Sequence, residues 1–316
     1  HVLTVDMTNT NIAFGPLMRH VAQRSPLSQL ASGRRRLVAA TNTGYFDFNV
    51  GAPFGPVVYE QRPVTGTTAG SNYVGIGSNH RVYTGKLHLA STVTVHGVTH
   101  PLNGFNSLTV PRGLSLYTPR WGSEKVQVPW NGVSVYLTNG VISSKVNRYT
   151  SPPQPGQSML VARGSTWVNW LKSLSRGTTV AHHLGYSTDA PVTIRQAYQV
   201  GAEIVQQKGV IRTGLSCRQQ YPMPARNAIG WTDSHKKMII AVVTDKPGTD
   251  VHGLDENQMS ALMVELGSSR AYMWDGSGSA EMIARMPSTG RLSIRNYCAD
   301  GQERWMPVGF GIFRRS

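Results

Sequence analysis

Apolar and polar positions alternate over short stretches of this chain, and turn-forming residues cut the stretches apart. Val133-Ser134-Val135-Tyr136-Leu137 and residues 141–146 flank Asn139-Gly140. That pairing predicts a hairpin with a type I′ turn. Residues 204–207 and 210–212 flank Lys208-Gly209 in the same way, a second hairpin. Further on the period changes twice. Arg226-Asn227-Ala228-Ile229-Gly230-Trp231-Thr232 reads as a strand, residues 233–237 as a polar turn, and residues 238–244 as an apolar strand closing at Asp245. Met259, Leu262, Met263 and Leu266 then recur at i, i+3, i+4 and i+7, the stripe of an amphipathic helix. Asp255 with Gln258 three residues on reads as its capping box, and Gly267 as its stop. Ala271-Tyr272-Met273-Trp274 is strand again and runs into Asp275-Gly276-Ser277-Gly278-Ser279. A shorter stripe of Trp167, Trp170, Leu171 and Leu174 predicts a helix over residues 165–174.

Composition turns these elements into a fold expectation. The 316 residues are 40% apolar, enough for a sizeable core, and 33 Gly and 18 Pro imply many turns. No repeat of solenoid length stands out, and residues 151–156, the best candidate linker, fit a long loop equally well. The expectation is one α+β domain over residues 1–316, with mixed, antiparallel-rich sheets and a few packed helices. No run of apolar residues is long enough to span a bilayer. The first residue is His1, not Met, which suits a chain from which a signal peptide or a tag has been removed, and a secreted protein is expected.

The formal net charge is +15, and Arg supplies 23 of the 31 basic residues. Arg recognises phosphate through a planar fork, so an anionic partner is expected. A GC-rich genome accounts for the same bias. The basic runs (Arg34-Arg35-Arg36, Lys236-Lys237, Arg314-Arg315) are short and sit in no known nucleic-acid module, which argues against a nucleic-acid partner. The two cysteines, Cys217 and Cys298, predict one disulfide if the chain is secreted. It would close a loop of about 80 residues and contribute roughly 4 kcal/mol. Two buried free thiols are the other reading. No Asn-x-Ser/Thr acceptor occurs, which suits a bacterial source.

The densest chemistry lies at residues 275–279. A strand delivers one carboxylate to its C-terminal end, beside a Gly/Ser loop with bare backbone amides. Such a place can hold an anion and move a proton, or it can be a surface turn capped by its own aspartate. The loop is not a nucleophile elbow, because position 275 is Asp, and not a P-loop, because no Gly-Lys-Ser/Thr follows. His182-His183 and Asp189 have no spacing that suits a zinc site. No metal and no cofactor are expected.

Several segments together resemble the phosphodiester glycosidase family. The family's Arg-Thr-Ala-Ile-Gly looks like Arg226-Asn227-Ala228-Ile229-Gly230. Its strand ending in Asp looks like Val243-Thr244-Asp245, its Gly-Leu like Gly253-Leu254, and its Asp-Gly-Gly-Gly-Ser like residues 275–279. Upstream, Asn42-Thr43-Gly44-Tyr45-Phe46-Asp47 is similar to the family's Asn-Gly-Gly-Phe-Phe-Asp, followed by Gly51-Ala52-Pro53-Phe54-Gly55. Residues 116–119 and 308–313 match its Leu-Tyr-Thr-Pro segment and closing strand. Thr43 and Ser277 stand where the family usually has Gly, Asn227 replaces Thr, and Glu281 replaces a small hydroxyl residue.

The resemblance implies hydrolysis of a sugar-1-phosphodiester by a secreted enzyme acting on a cell-wall or capsular glycan. The leaving phosphate is a weak base, so the site needs cations or amides for its charge and a carboxylate near the anomeric carbon. Asp275 is the first candidate for that carboxylate, as base or nucleophile. Glu281 and Asp47 are reserve carboxylates for a second acid/base role. Gly276, Gly278 and Ser279 would supply amides and a hydroxyl to phosphate or sugar, and Arg226 a phosphate clamp. Asn42 and Gly44 would bind a sugar hydroxyl or hold a catalytic group. Asp245 reads as structural. Two alternatives remain: a glycosidase on a non-phosphorylated glycan, with Glu281 as the added acid, and an anionic-glycan-binding module without turnover.

Overall fold

A computed structural model describes residues 1–212 and 223–315. Its strands form three sheets. A six-stranded sheet runs in the order Val2–Asp6, Lys237–Val243, Arg226–Trp231, Arg270–Met273, Glu203–Gln206, Val210–Ile211. A five-stranded sheet runs Ile12–Leu17, Gly309–Arg314, Leu37–Asn42, Met282–Arg285, Leu292–Ile294. The largest has 13 strands, among them Ile194–Gln199 and Val98–Phe105. The pairings that carry the first two sheets are antiparallel, whereas Gly113–Tyr117 lies parallel to Val98–Phe105 in the third.

The class is mainly β rather than the α+β expected, though antiparallel pairing dominates as expected. The reason lies in what fills the core. One buried cluster takes Ile240 from the six-stranded sheet, Phe310 from the five-stranded sheet, and Tyr198 and Met159 from the largest. Sheet faces cover sheet faces, and each of these side chains leaves water against another strand. The described residues include three α-helices, Leu27–Ala31, Ser165–Ser173 and Glu256–Glu265, which only cover outer faces. Glu256–Glu265 lays Met259 and Met263 on the six-stranded sheet beside Ile239 and Ala271.

Local signals that need no distant partner come out as expected. Asn139 and Gly140 have φ of 49° and 77°, and Lys208 and Gly209 69° and 74°, as two-residue hairpin turns require. The Gln258 amide donates to Asp255 Oδ1 at 2.7 Å, and the Asp255 amide to Gln258 Oε1 at 3.0 Å. Gly267 follows with φ 92°. Among the described residues, no helix is long and apolar enough to cross a membrane.

Candidate active site

The end of Arg270–Met273 in one sheet meets the end of Leu37–Asn42 in another. Strands that stop leave backbone donors and acceptors to be satisfied. The Trp274 amide donates to Asn227 O and the Asp275 amide to Thr43 O, both at 2.9 Å. The Asn42 side chain completes the seam. Its Nδ2 donates to Asp275 O at 2.7 Å, and its Oδ1 accepts from the Glu281 amide at 3.1 Å and from Asn227 Nδ2 at 2.7 Å. A carboxamide carries donors and an acceptor on one planar group, so one residue can pin two strands. Asn42 is 2% exposed and its polar atoms are engaged. It holds the Asp275 and Glu281 backbones and is not placed to bind a sugar hydroxyl.

Asp275 itself is half-buried. Burial raises its carboxyl above the ordinary aspartate range, while a hydrogen bond with Ser279, the Arg304 charge and the Gly276 amide pull it back. The glycines around it make room for its close neighbours. A Cβ on Gly276 would lie 2.8 Å from Ala225 O, and one on Gly278 2.1 Å from Asp300 Oδ2 and 2.2 Å from Arg304 Nη2. A Cβ on Gly44 would lie 2.6 Å from Gln199 O, where the largest sheet closes on the site. Ser279 is buried, and its hydroxyl accepts from Arg304 Nη1 at 3.4 Å.

Arg226 opens its strand beside Gly276. Its Nε donates to Leu254 O at 2.8 Å, which fixes the guanidinium and leaves Nη1 and Nη2 without a partner among the described residues. Its charge and that of Asp275 both act on the Tyr45 hydroxyl, whose pKa is raised first by burial and then by Asp275. Asp47 is elsewhere engaged. Its Oδ1 accepts the amides of Asn49 at 2.9 Å and Val50 at 2.7 Å, so it shapes a loop and does not stand as an acid/base partner. Asp245 is buried after Lys237–Val243, with Oδ1 unpartnered among the described residues.

Glu281 is 1% exposed and turns away from solvent toward Glu303. Glu303 is held by Ser28, whose amide reaches Oε1 at 2.8 Å and whose hydroxyl reaches Oε2 at 2.5 Å. As two carboxylates the pair leaves both Glu281 oxygens without a donor. A proton between them supplies one. Burial, then the hydrogen bond and charge of Glu303, push Glu281 up to about 9, so it is protonated at neutral pH. The same group acts on Cys298. Burial and the charges of Glu281, Glu303 and Asp300 push its thiol up to about 11. Cys298 is free among the described residues, and the expected pairing with Cys217 lies outside them.

Arg304, Glu303 and Tyr45 were not singled out from the sequence. Arg304 Nη2 pairs with Asp300 Oδ2 at 2.7 Å, and its guanidinium sits 5.3 Å from the Phe48 ring centroid. No periodicity or motif around residues 300–305 marks it. The four departures from the family pattern each have a local explanation or cost. Thr43 Oγ1 donates to Val308 O at 3.1 Å, Asn227 reaches Asn42, and Glu281 faces Glu303. Ser277 has φ 53°, where glycine is favoured.

The profile of the phosphodiester glycosidase family matches residues 131–313, more than half of the chain. The chain belongs to this family. The matched part holds Arg226, Asp275, Glu281 and Arg304 and leaves out Asn42, Gly44 and Asp47. A hypothetical protein from Synechocystis has the same fold, with a TM-score of 0.78 and 21% identity over 99% of this chain and 59% of that one. This chain thus spans about three fifths of that relative. A protein from Burkholderia pseudomallei gives a TM-score of 0.74 and 18% identity over 99% and 73%. The catalytic domain of zebrafish N-acetylglucosamine-1-phosphodiester alpha-N-acetylglucosaminidase gives 0.47 and 15% over 100% and 83%. No curated protein sequence matches the chain.

Proposed function

We propose that residues 1–316 form one catalytic domain of a secreted glycoside hydrolase that cleaves the C1–O bond of a sugar-1-phosphodiester in an anionic cell-wall or capsular glycan. Family membership supports the reaction class. The observation that carries the reading is the half-buried Asp275 carboxylate, whose backbone Asn42 pins and on which the Arg304 charge acts, with Arg226 beside Gly276 in the same loop.

In the reaction the C1–O bond breaks and its electron pair goes to the phosphate oxygen. That charge falls to Arg226 and Arg304, and no acid is required because a phosphate monoester leaves readily. Asp275 stabilises positive charge at C1 and either bonds to it or takes a proton from the attacking water. Water supplies the new hydroxyl at C1. Exposed Tyr45 and Phe48 offer ring faces for the sugar.

A product assay on sugar-1-phosphodiesters and matching simple glycosides tests the reading. Free reducing sugar is expected from the phosphodiesters only, with Asp275→Asn lowering turnover by about 10³-fold or more. Sugar released from the simple glycosides instead overturns it. The non-phosphorylated reading stands second. Glu281 holds the proton such a leaving group needs, but its carboxyl is closed off against Glu303.

A further inference from the structure

The five-stranded sheet carries chemistry at both ends. At one end Asn42 lies opposite Gly309 and Thr41 opposite Met282, next to the Asp275 loop. At the other end, about 17–20 Å away by strand length, Phe313 lies opposite Leu37 and Ile12 opposite Arg314. That far end gathers Arg34, Arg35, Arg36, Arg285, Arg314 and Arg315. The Arg314 amide donates to Arg36 O at 2.9 Å, and Arg285 Nη2 to Leu37 O at 2.9 Å. None of the six is in an ion pair among the described residues, where the two pairs are Arg270–Glu203 and Arg304–Asp300.

Beside this end lies a cavity of about 200 Å³, lined by Ala13, Tyr59, Glu60, His80, Arg195 and Arg315 among others. Three of its polar side chains, Arg195, Arg315 and His80, present donors. Arg195 Nε is buried with no hydrogen-bond partner. Arg315 Nη2 meets His80 Nε2. Arginine can only donate, so Nε2 accepts and the neutral ring carries its proton on Nδ1. His80 Nδ1 is also buried and unpartnered. A buried donor left without a partner is costly, so Arg195 Nε and His80 Nδ1 together mark a place short of an acceptor. Glu60, the one acid in the lining, forms no ion pair there and hydrogen-bonds with the Tyr59 side chain. His80 holds φ 61°, a strained backbone at the cavity wall.

We propose that this cavity is a second anion site that takes one phosphate group of a phosphodiester polymer, with Arg195, His80 and Arg315 as donors and the neighbouring arginines as a track for the polymer's next charges. The site holds a polyanion at the far end of the sheet from Asp275 and does not depend on turnover there. Burial and the charges of Arg315 and Arg195 hold the His80 imidazole below its ordinary pKa. A bound anion reverses this.

The test is NMR titration of His80 in the full chain carrying Arg304→Gln, which weakens anion binding at the Asp275 end. Inorganic phosphate and a short poly(glycerol phosphate) are the two probes. Both are expected to raise the His80 pKa. Arg195→Gln and the exposed-site variant Arg315→Gln are each expected to weaken phosphate binding about tenfold with the fold intact by circular dichroism. The polymer is expected to bind more tightly than phosphate, with an affinity that falls steeply with salt. An unmoved His80, or phosphate binding untouched in both variants, overturns the site. A response to free phosphate but none to the polymer overturns the polymer assignment.

Discussion

At the residue scale, the site rests on carboxyls whose surroundings push them apart in role. Asp275 is half-buried and keeps the Arg304 charge beside it, whereas Glu281 is sealed against Glu303. The Glu281 pKa is raised on folding, from its ordinary value near 4.5 to about 9. The folded state therefore binds the extra proton between those values, and stability falls as pH rises through that window. For one proton the slope is at most about 1.4 kcal/mol per pH unit. Wild type is expected to lose stability relative to Glu281→Gln between about pH 6 and about pH 8, as urea unfolding at the two pH values checks. Equal slopes would mean that Glu281 ionises normally. Ser277 is the other informative residue. At φ 53° it carries a left-handed cost of roughly 1–2 kcal/mol that glycine avoids. Ser277→Gly is expected to leave the loop intact and raise the melting temperature by a few degrees, a shift that calorimetry measures.

At the scale of elements, Asn42 decides how two sheets share one site. Its side chain replaces the ladder that neither strand can continue. Asn42→Ala leaves the Glu281 amide and the Asp275 carbonyl buried without their partner. The expected loss is about 2–4 kcal/mol, with kcat falling more than KM rises, because the Asp275 carboxylate loses its position. Unfolding and steady-state kinetics on the same preparation separate the two effects, and unchanged kcat would remove Asn42 from the positioning role. The helix Glu256–Glu265 contrasts with this. Its capping box and stop glycine are local devices, and it was legible because its signals lie within one short stretch of chain.

At the scale of the whole molecule, one buried cluster draws on all three sheets. If residues 1–316 are one domain, no sheet can open without exposing the others. Urea unfolding is expected to be a single transition, coincident by tryptophan fluorescence and far-UV circular dichroism. Two separated transitions would divide the chain. The same architecture explains the class. Sheets bury sheets, so helices that read clearly in sequence contribute little of the interior.

By itself, the sequence determined the hairpins at Asn139-Gly140 and Lys208-Gly209, the capped helix after Asp255, and the strand that delivers Asp275 to a Gly/Ser loop. Each depends on φ/ψ preference or periodicity within a few residues, which short-range sterics enforce. The family pattern added Arg226 by position in a motif. Tertiary structure alone decided that Asn42 is a brace, that Glu281 is paired with Glu303, and that Arg304 stands beside Asp275. The Asn42 brace joins residues more than two hundred positions apart, Asn42 to Asp275, and Ser28 reaches as far along the chain to hold Glu303. Strand pairing across the sheets sets them, and no local period in the chain encodes which distant strand a given strand will meet.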